Sequence, residues 1–94
     1  MHPKYPRVAV VGMGYVGLTL ASVLARKGIT VHGVEKNPDV VAVLNERKLH
    51  LVEPGVEEAI DGHMGDNWTV SPDYTFKPDV VVICVSTPVS SDGV

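Results

Sequence analysis

The sequence has few residues that could form a disulfide or bind a metal ion. Its 94 residues contain a single cysteine, Cys84, so no internal disulfide can form, and a reducing compartment is indicated. The four histidines, His2, His32, His50 and His63, include no i, i+4 pair and have no cysteine nearby. We therefore expect no metal site.

Positive charge and long apolar runs are scarce as well. The chain has 8 Lys and Arg against 11 Asp and Glu, which gives a net charge of −3, and the basic residues are scattered. Such a chain offers no basic surface to nucleic acid. No apolar run approaches the roughly 20 residues that span a bilayer, and the polar start "MHPKYPR" is not a signal peptide. We expect a cytoplasmic protein with neither a nucleic-acid nor a membrane partner.

What is present is a pattern of alternating strands and helices. Strands are predicted at residues 7–11, 30–35, 68–71 and 79–85, because these runs are short, apolar and rich in β-branched residues. Helices are predicted at residues 15–27 and 38–45, the second capped by Asn37, and a third short helix opens near Pro54. The segment "PDYTFKP" between the last two strands has little room for a helix. This order predicts an α/β fold with a parallel sheet.

The stretch "GMGYVG" at residues 12–17 stands between the first strand and the first helix and has the spacing G-x-G-x-x-G. Gly12 permits a tight turn, Gly14 lets a pyrophosphate approach the backbone, and Gly17 lets the helix pack closely on the strand. The helix directs its unpaired N–H groups and positive dipole end at the anion. The motif therefore predicts a dinucleotide-binding fold of the Rossmann type.

Glu35 ends the second strand, about 20 residues beyond the glycines. A carboxylate there accepts hydrogen bonds from the ribose hydroxyls of the adenosine half and repels a 2′-phosphate. NAD is thus preferred to NADP, although the adjacent Lys36, which we count among the cofactor-binding residues, would soften the preference. Glycine-rich turns also occur in α/β proteins that bind no ligand. The prediction of dinucleotide binding therefore depends on Glu35 having the expected position relative to the glycine turn.

Three stretches together resemble the UDP-glucose/GDP-mannose dehydrogenase family, whose members oxidise C6 of a nucleotide sugar to a carboxylate with two molecules of NAD. They are "GYVGLTLASVLARKGITVHGVEKN", "LVEPGVEEAI" and "VVVICVSTPVSSDG", which follow the family's order and cover nearly the whole chain. The resemblance implies that Tyr15 and Val16 contact the pyrophosphate through their backbone. It also implies that Ser86, Thr87 and Pro88 line the cofactor beyond the fourth strand.

The same resemblance limits the chemistry of this chain. The family's catalytic cysteine, lysine and asparagine belong to parts that follow residue 94, so no catalytic residue is predicted here. Cys84 is not that nucleophile, because a cysteine within an apolar strand is a buried, inert side chain in most proteins. We expect residues 1–94 to be the N-terminal part of an NAD-binding Rossmann domain, strands 1–4 only. A sheet that ends there has an uncovered edge, so a homo-oligomer is also expected.

The substrate is less constrained than the cofactor. The segment "KLHLVEPG" and the short connection between the third and fourth strands resemble the members that act on UDP-N-acetylhexosamines. UDP-glucose 6-dehydrogenase is the alternative within the family. Outside it, the alternatives are a non-catalytic NAD-sensing module and an NADP-using reductase of small keto acids, which Glu35 disfavours. A dehydrogenase continues into a domain with a reactive cysteine, whereas a sensing module does not.

Overall fold

The computed structural model describes residues 5–47 and 55–84. In these ranges the chain forms β1 (Val8–Val11), α1 (Tyr15–Arg26), β2 (Val31–Val34), α2 (Pro38–Asn45), α3 (Val56–His63), β3 (Trp68–Ser71) and β4 (Val80–Ile83). Neighbouring strands pair in parallel, in the order β3-β2-β1-β4. The predicted α/β class, a parallel sheet with flanking helices, is confirmed.

The ends of three predicted strands are wrong by one or two residues. β1 begins at Val8 rather than at residue 7, β2 covers residues 31–34 rather than 30–35, and β4 begins at Val80 rather than at residue 79. The side chains explain part of this difference. The Asp79 N–H donates to the Arg7 carbonyl oxygen at 2.8 Å, but the Arg7 N–H donates to the Asp79 carboxylate at 2.8 Å rather than to a backbone carbonyl, so the regular ladder begins one residue later. β4 ends at Ile83, two residues before its predicted end, and Cys84 is described but lies outside the strand.

The helices begin where local chemistry favours them. Asn37 Oδ1 accepts the Asp39 N–H at 2.9 Å, which caps α2 as predicted. α1 begins at Tyr15 as predicted and ends one residue early, with Lys27 as its C-cap. α3 begins after Gly55, whose φ of 85° favours glycine. Pro54, the predicted start of this helix, lies outside the described residues.

The core forms between the sheet and the helices. α1 contacts β1, β2 and α3, and α2 contacts β3. The largest fully buried apolar side chains are Trp68, Met13, Leu18, Leu44 and Ile60. β1 and β2 are the central strands, and Ala9, Val10 and Val31 are each 0% exposed, as expected for strands covered on both faces.

The strand order reverses between β1 and β4. The chain passes from β1 to β2 and β3 in one direction and then to β4 on the other side of β1. Ligands of open α/β sheets bind outside the carboxyl ends of the strands at such a point. β4 is an edge strand of the described sheet, and its Val81 and Ile83 are 45% and 69% exposed. Self-association of the chain stays a prediction.

Residues 72–79, called the connector below, join β3 to β4 without a helix, as predicted. His32 of β2 lies against the connector and is 1% exposed. Its Nε2 is 2.7 Å from the Asp73 carbonyl oxygen, and its Nδ1 is 2.6 Å from the Thr69 hydroxyl oxygen. Because a carbonyl oxygen only accepts, Nε2 carries the proton and Nδ1 accepts from the hydroxyl. A neutral, buried His32 thus ties the connector to the sheet.

The free energy of unfolding is expected to fall in mild acid because of His32. Burial lowers the pKa of His32 below its ordinary value, and the hydrogen bond to the Asp73 carbonyl opposes this only in part. The unfolded chain therefore takes up the proton first. The contribution of neutral His32 to the free energy of unfolding is complete above pH of about 6.5 and is lost as the pH falls through the lowered pKa of the folded state.

Urea unfolding at pH 7.5 and pH 5.5 measures this effect, which amounts to about 1.4 kcal/mol for each unit by which the pKa is lowered. His32→Gln should remove most of the dependence on pH that wild type shows. All other ionisable groups are the same in the two proteins, so their contributions cancel in the comparison. Equal pH slopes in the two proteins would contradict the prediction.

Candidate functional site

The glycine turn follows β1 directly. Gly12 has a φ of 98°, a left-handed conformation that favours glycine, and its N–H donates to the Val34 carbonyl oxygen at 2.8 Å. Gly14 is the N-cap residue of α1 and has an extended backbone, with φ −78° and ψ −162°. The structure therefore places both glycines in a turn between a strand and a helix, at the carboxyl edge of the sheet.

Gly17 lies where α1 meets this turn. A Cβ built on Gly17 would stand 1.8 Å from the Gly12 carbonyl oxygen and 3.3 Å from the Cys84 Cβ. The close packing expected of this glycine is present, and its nearest neighbour is the turn itself rather than the strand. Cys84 follows β4, and its N–H donates to the Val11 carbonyl oxygen at 2.8 Å. This thiol is partly exposed, so the expectation that it is fully buried is wrong. Cys84 follows an edge strand whose own residues are mostly exposed, which explains its partial exposure.

The N-terminus of α1 has the charge character that suits an anion. Among the described residues no side chain caps it, and its first turn has no acidic residue. No residue of that turn therefore neutralises the positive end of the helix dipole. Tyr15 and Val16, the first two residues of the helix, are 58% and 64% exposed. The N-terminus of a helix is a favourable place for a phosphate group, because its backbone N–H groups and dipole attract negative charge.

Glu35 joins the two loops at this edge. Its Oε1 accepts the Met13 N–H at 2.6 Å, and its Oε2 accepts the Asn37 N–H at 3.0 Å. The carboxylate is half-buried and lies beside the glycine turn. Each carboxylate oxygen has a second lone pair, so two acceptor positions are left for hydroxyl groups. The structure thus brings the acid and the glycines together, over a separation of 22 residues between Met13 and Glu35.

The Lys36 side chain is directed towards the connector, whereas the Glu35 side chain is directed towards the glycine turn. Its Nζ donates to the Pro72 carbonyl oxygen at 2.8 Å and lies 3.7 Å from Asp73 Oδ1, so it contacts the connector. Ser86, Thr87 and Pro88 lie outside the described residues, and their role in binding the cofactor stays a prediction. Within residues 5–47 and 55–84 no group of three potential metal ligands is found.

Two residues of the site were not anticipated from the sequence. Met13, the second residue of the glycine motif, is 0% exposed, and its side chain covers Gly33 of β2. A Cβ on Gly33 would stand 2.6 Å from Met13 Sδ. The signal was the glycine itself, because a glycine inside a β-branched strand often marks the close approach of another part of the chain.

These features define a class of protein. A parallel sheet whose order reverses beside the first strand, a glycine turn that opens the first helix and an acid after the second strand form a dinucleotide-binding domain of the Rossmann type. The sequence model of the UDP-glucose/GDP-mannose dehydrogenase family, NAD binding domain, matches residues 6–94. The chain belongs to this family, as its motifs predicted, and NAD is the cofactor that the family description names.

Individual relatives act on different sugars. UDP-N-acetyl-D-mannosamine dehydrogenase of Campylobacter jejuni is 33% identical over 96% of this chain and 22% of its own length. UDP-glucose 6-dehydrogenase AglM of Haloferax volcanii is 33% identical over 92% of this chain and 20% of its own length. The crystal structure of a ternary complex of GDP-mannose dehydrogenase from Pseudomonas aeruginosa superposes with a TM-score of 0.81 at 32% identity, over 93% of this chain and 21% of that one. The chain therefore spans about a fifth of the length of these relatives.

No helix among the described residues is both long enough and apolar enough to cross a membrane.

Proposed function

We propose that this chain is the N-terminal part of the NAD-binding domain of a nucleotide-sugar 6-dehydrogenase, an enzyme that oxidises C6 of a UDP-sugar to the uronic acid with two molecules of NAD. The observation that carries the proposal is the family match over residues 6–94 together with a glycine turn and an acid that contact each other. The protein would work in the cytoplasm, as a homo-oligomer, on a soluble nucleotide sugar.

The residues present fit a bound dinucleotide. The turn at Gly12 and Gly14 and the uncapped N-terminus of α1 would hold the pyrophosphate by backbone N–H groups. The carboxylate of Glu35, already oriented by two backbone N–H groups, would accept hydrogen bonds from the adenosine ribose. When bound, NAD supplies the hydride acceptor for the oxidation. We assign no catalytic residue to this chain.

The sugar that we favour is a UDP-N-acetylhexosamine. The histidine before the "EPG" of residues 53–55 and the short connector are the features that support it, together with the resemblance to UDP-N-acetyl-D-mannosamine dehydrogenase. UDP-glucose is the second candidate, because a UDP-glucose 6-dehydrogenase is equally similar, at 33% identity. Overall identity does not separate the two.

Gly14→Val is expected to weaken NAD binding while leaving the fold intact. The extended backbone of Gly14 is one that valine adopts readily, so we expect a change of less than about 1 kcal/mol in the free energy of unfolding. The added side chain would lie where the pyrophosphate approaches, and we expect affinity to fall at least about 30-fold, equivalent to about 2 kcal/mol.

Titration of the chain with NADH, followed by fluorescence, tests this expectation. Gly62→Val is the matched control, because a Cβ at Gly62 on α3 meets nothing within 4 Å. The control should bind NADH as wild type does. Equal affinity of wild type and Gly14→Val would exclude the assigned turn as the binding site.

The reaction is tested with the full-length protein, by NADH absorbance after addition of NAD and one nucleotide sugar at a time. UDP-N-acetylmannosamine, UDP-N-acetylglucosamine, UDP-glucose and GDP-mannose are the substrates to compare. Formation of two NADH per sugar with one of them supports the dehydrogenase. NAD binding without turnover of any of them would favour a sensing module.

A further inference from the structure

We infer that Asp73 and Lys36 form a second determinant of the choice between NAD and NADP. The connector holds the Lys36 ammonium beside the end of β3. The Glu35 carboxylate therefore acts at the 2′ position of the ribose without a positive charge that opposes it. The inference rests on the proposed cofactor site. It adds to that site a residue of the connector, Asp73, which neither the glycine motif nor the ribose acid includes.

Glu35 and Lys36 are neighbours of opposite charge whose side chains point in different directions. β2 lies between β1 and β3, and Glu35 and Lys36 follow β2 directly. The Glu35 carboxylate is directed towards β1, where it accepts the Met13 N–H at 2.6 Å. The Lys36 ammonium is directed towards β3, where it donates to the Pro72 carbonyl oxygen at 2.8 Å and faces Asp73 at 3.7 Å. Lys36 therefore does not neutralise the carboxylate beside it.

Asp73 also sets the charge of this edge. Glu35, Lys36 and Asp73 together have a charge of −1, and this charge opposes a 2′-phosphate, which has a charge of about −2. Without the Asp73 carboxylate the sum is zero, and the flexible stem of Lys36 would let the ammonium reach a phosphate group. The Lys36 and Asp73 side chains are 78% and 87% exposed, so we expect their attraction to contribute no more than one exposed ion pair.

The experiment compares the dissociation constants of NADH and NADPH for the 94-residue chain, by fluorescence at low ionic strength, where exposed charges are screened least. Asp73→Asn removes the charge but keeps the backbone carbonyl that holds His32. We expect the affinity for NADPH relative to NADH to rise about fivefold, as for the loss of one exposed charge interaction. The affinity for NADH itself should change less than about twofold, because no contact with NAD is assigned to Asp73.

Two further variants separate the contribution of Lys36 from that of net charge. Asp61→Asn is the control, because it removes one carboxylate from an exposed residue of α3. The start of α3 contacts Arg26, which lies at the end of α1 opposite to the glycine turn. It should leave the NADPH to NADH ratio unchanged. Lys36→Gln added to Asp73→Asn should abolish the gain, because the phosphate then has no ammonium to bind.

The outcomes distinguish this inference from the proposed function. A wild-type chain that does not bind NADH overturns both. A wild-type chain that binds NADH, with the same ratio in Asp73→Asn as in Asp61→Asn, overturns the Lys36 and Asp73 determinant alone. A gain that persists in the Lys36→Gln double variant also overturns it, because the effect would then come from the Asp73 charge without the lysine.

Discussion

Gly17→Ala is expected to lower the free energy of unfolding by about 3 kcal/mol or more, because overpacking against rigid atoms is costly. The added methyl group would stand 1.8 Å from the Gly12 carbonyl oxygen and 3.0 Å from its carbon. These are backbone atoms, which cannot rotate away as a side chain does. Either α1 moves away from the turn or the turn changes its conformation. Both would displace the helix N-terminus from the predicted pyrophosphate site, so NADH affinity should fall as well.

Urea unfolding of Gly17→Ala and Gly62→Ala provides the test. Gly62 is also a helical glycine, but a Cβ there meets nothing within 4 Å. Gly62→Ala should be neutral or stabilising by up to about 1 kcal/mol, because alanine is the better helix former. The same substitution is thus expected to have opposite effects at the two positions. If Gly17→Ala were as stable as Gly62→Ala, the contact between α1 and the turn would be looser than described.

Glu35→Ala is expected to weaken NADH binding by about 10-fold to 100-fold, which corresponds to about 1.4–2.7 kcal/mol. The carboxylate would lose its hydrogen bonds to the ribose, and the Met13 and Asn37 N–H groups would lose the acceptor that now orients them. We therefore also expect a loss of about 1–2 kcal/mol in stability, the usual effect of removing the acceptor of a part-buried backbone N–H, here that of Met13.

A second substitution separates the two roles of Glu35. Glu35→Gln keeps one carbonyl oxygen as an acceptor but has no charge, so it should recover part of the stability and relax the discrimination against NADPH. Glu57→Ala, at an exposed position of α3, is the control for losing one carboxylate. A Glu35→Ala chain with reduced stability and wild-type affinity for NADH would restrict Glu35 to a structural role.

The elements and the turn were predictable because their signals are local. The β-branched runs, the glycine after the first strand and the cap at Asn37 depend on neighbours within a few residues. α1 therefore begins at the predicted residue, and β3 has its predicted bounds. The errors are at the ends of strands and of α1, and at the start of β1 and β4 a distant contact between Arg7 and Asp79 helps to set the first residue of the ladder.

The sequence motif names the residues of the candidate site but not the contacts between them. The motif names Gly12, Gly14, Gly17 and Glu35 because each has a fixed place in a strand, turn or helix. It does not show that Glu35 binds the Met13 N–H, because that bond depends on the pairing of β1 with β2. The same pairing places Met13 over Gly33.

The sequence by itself determined the α/β class, the position of the glycine turn and the family, because periodicity and motif spacing are properties of adjacent residues. Only the tertiary structure decided that His32 is buried against the connector and that Lys36 contacts Pro72 rather than the glutamate beside it. Both contacts join residues 36 or more positions apart. Such contacts form only when strand pairing brings the ends of β2 and β3 together. The identity of a side chain alone does not specify which residue it will contact in the folded chain.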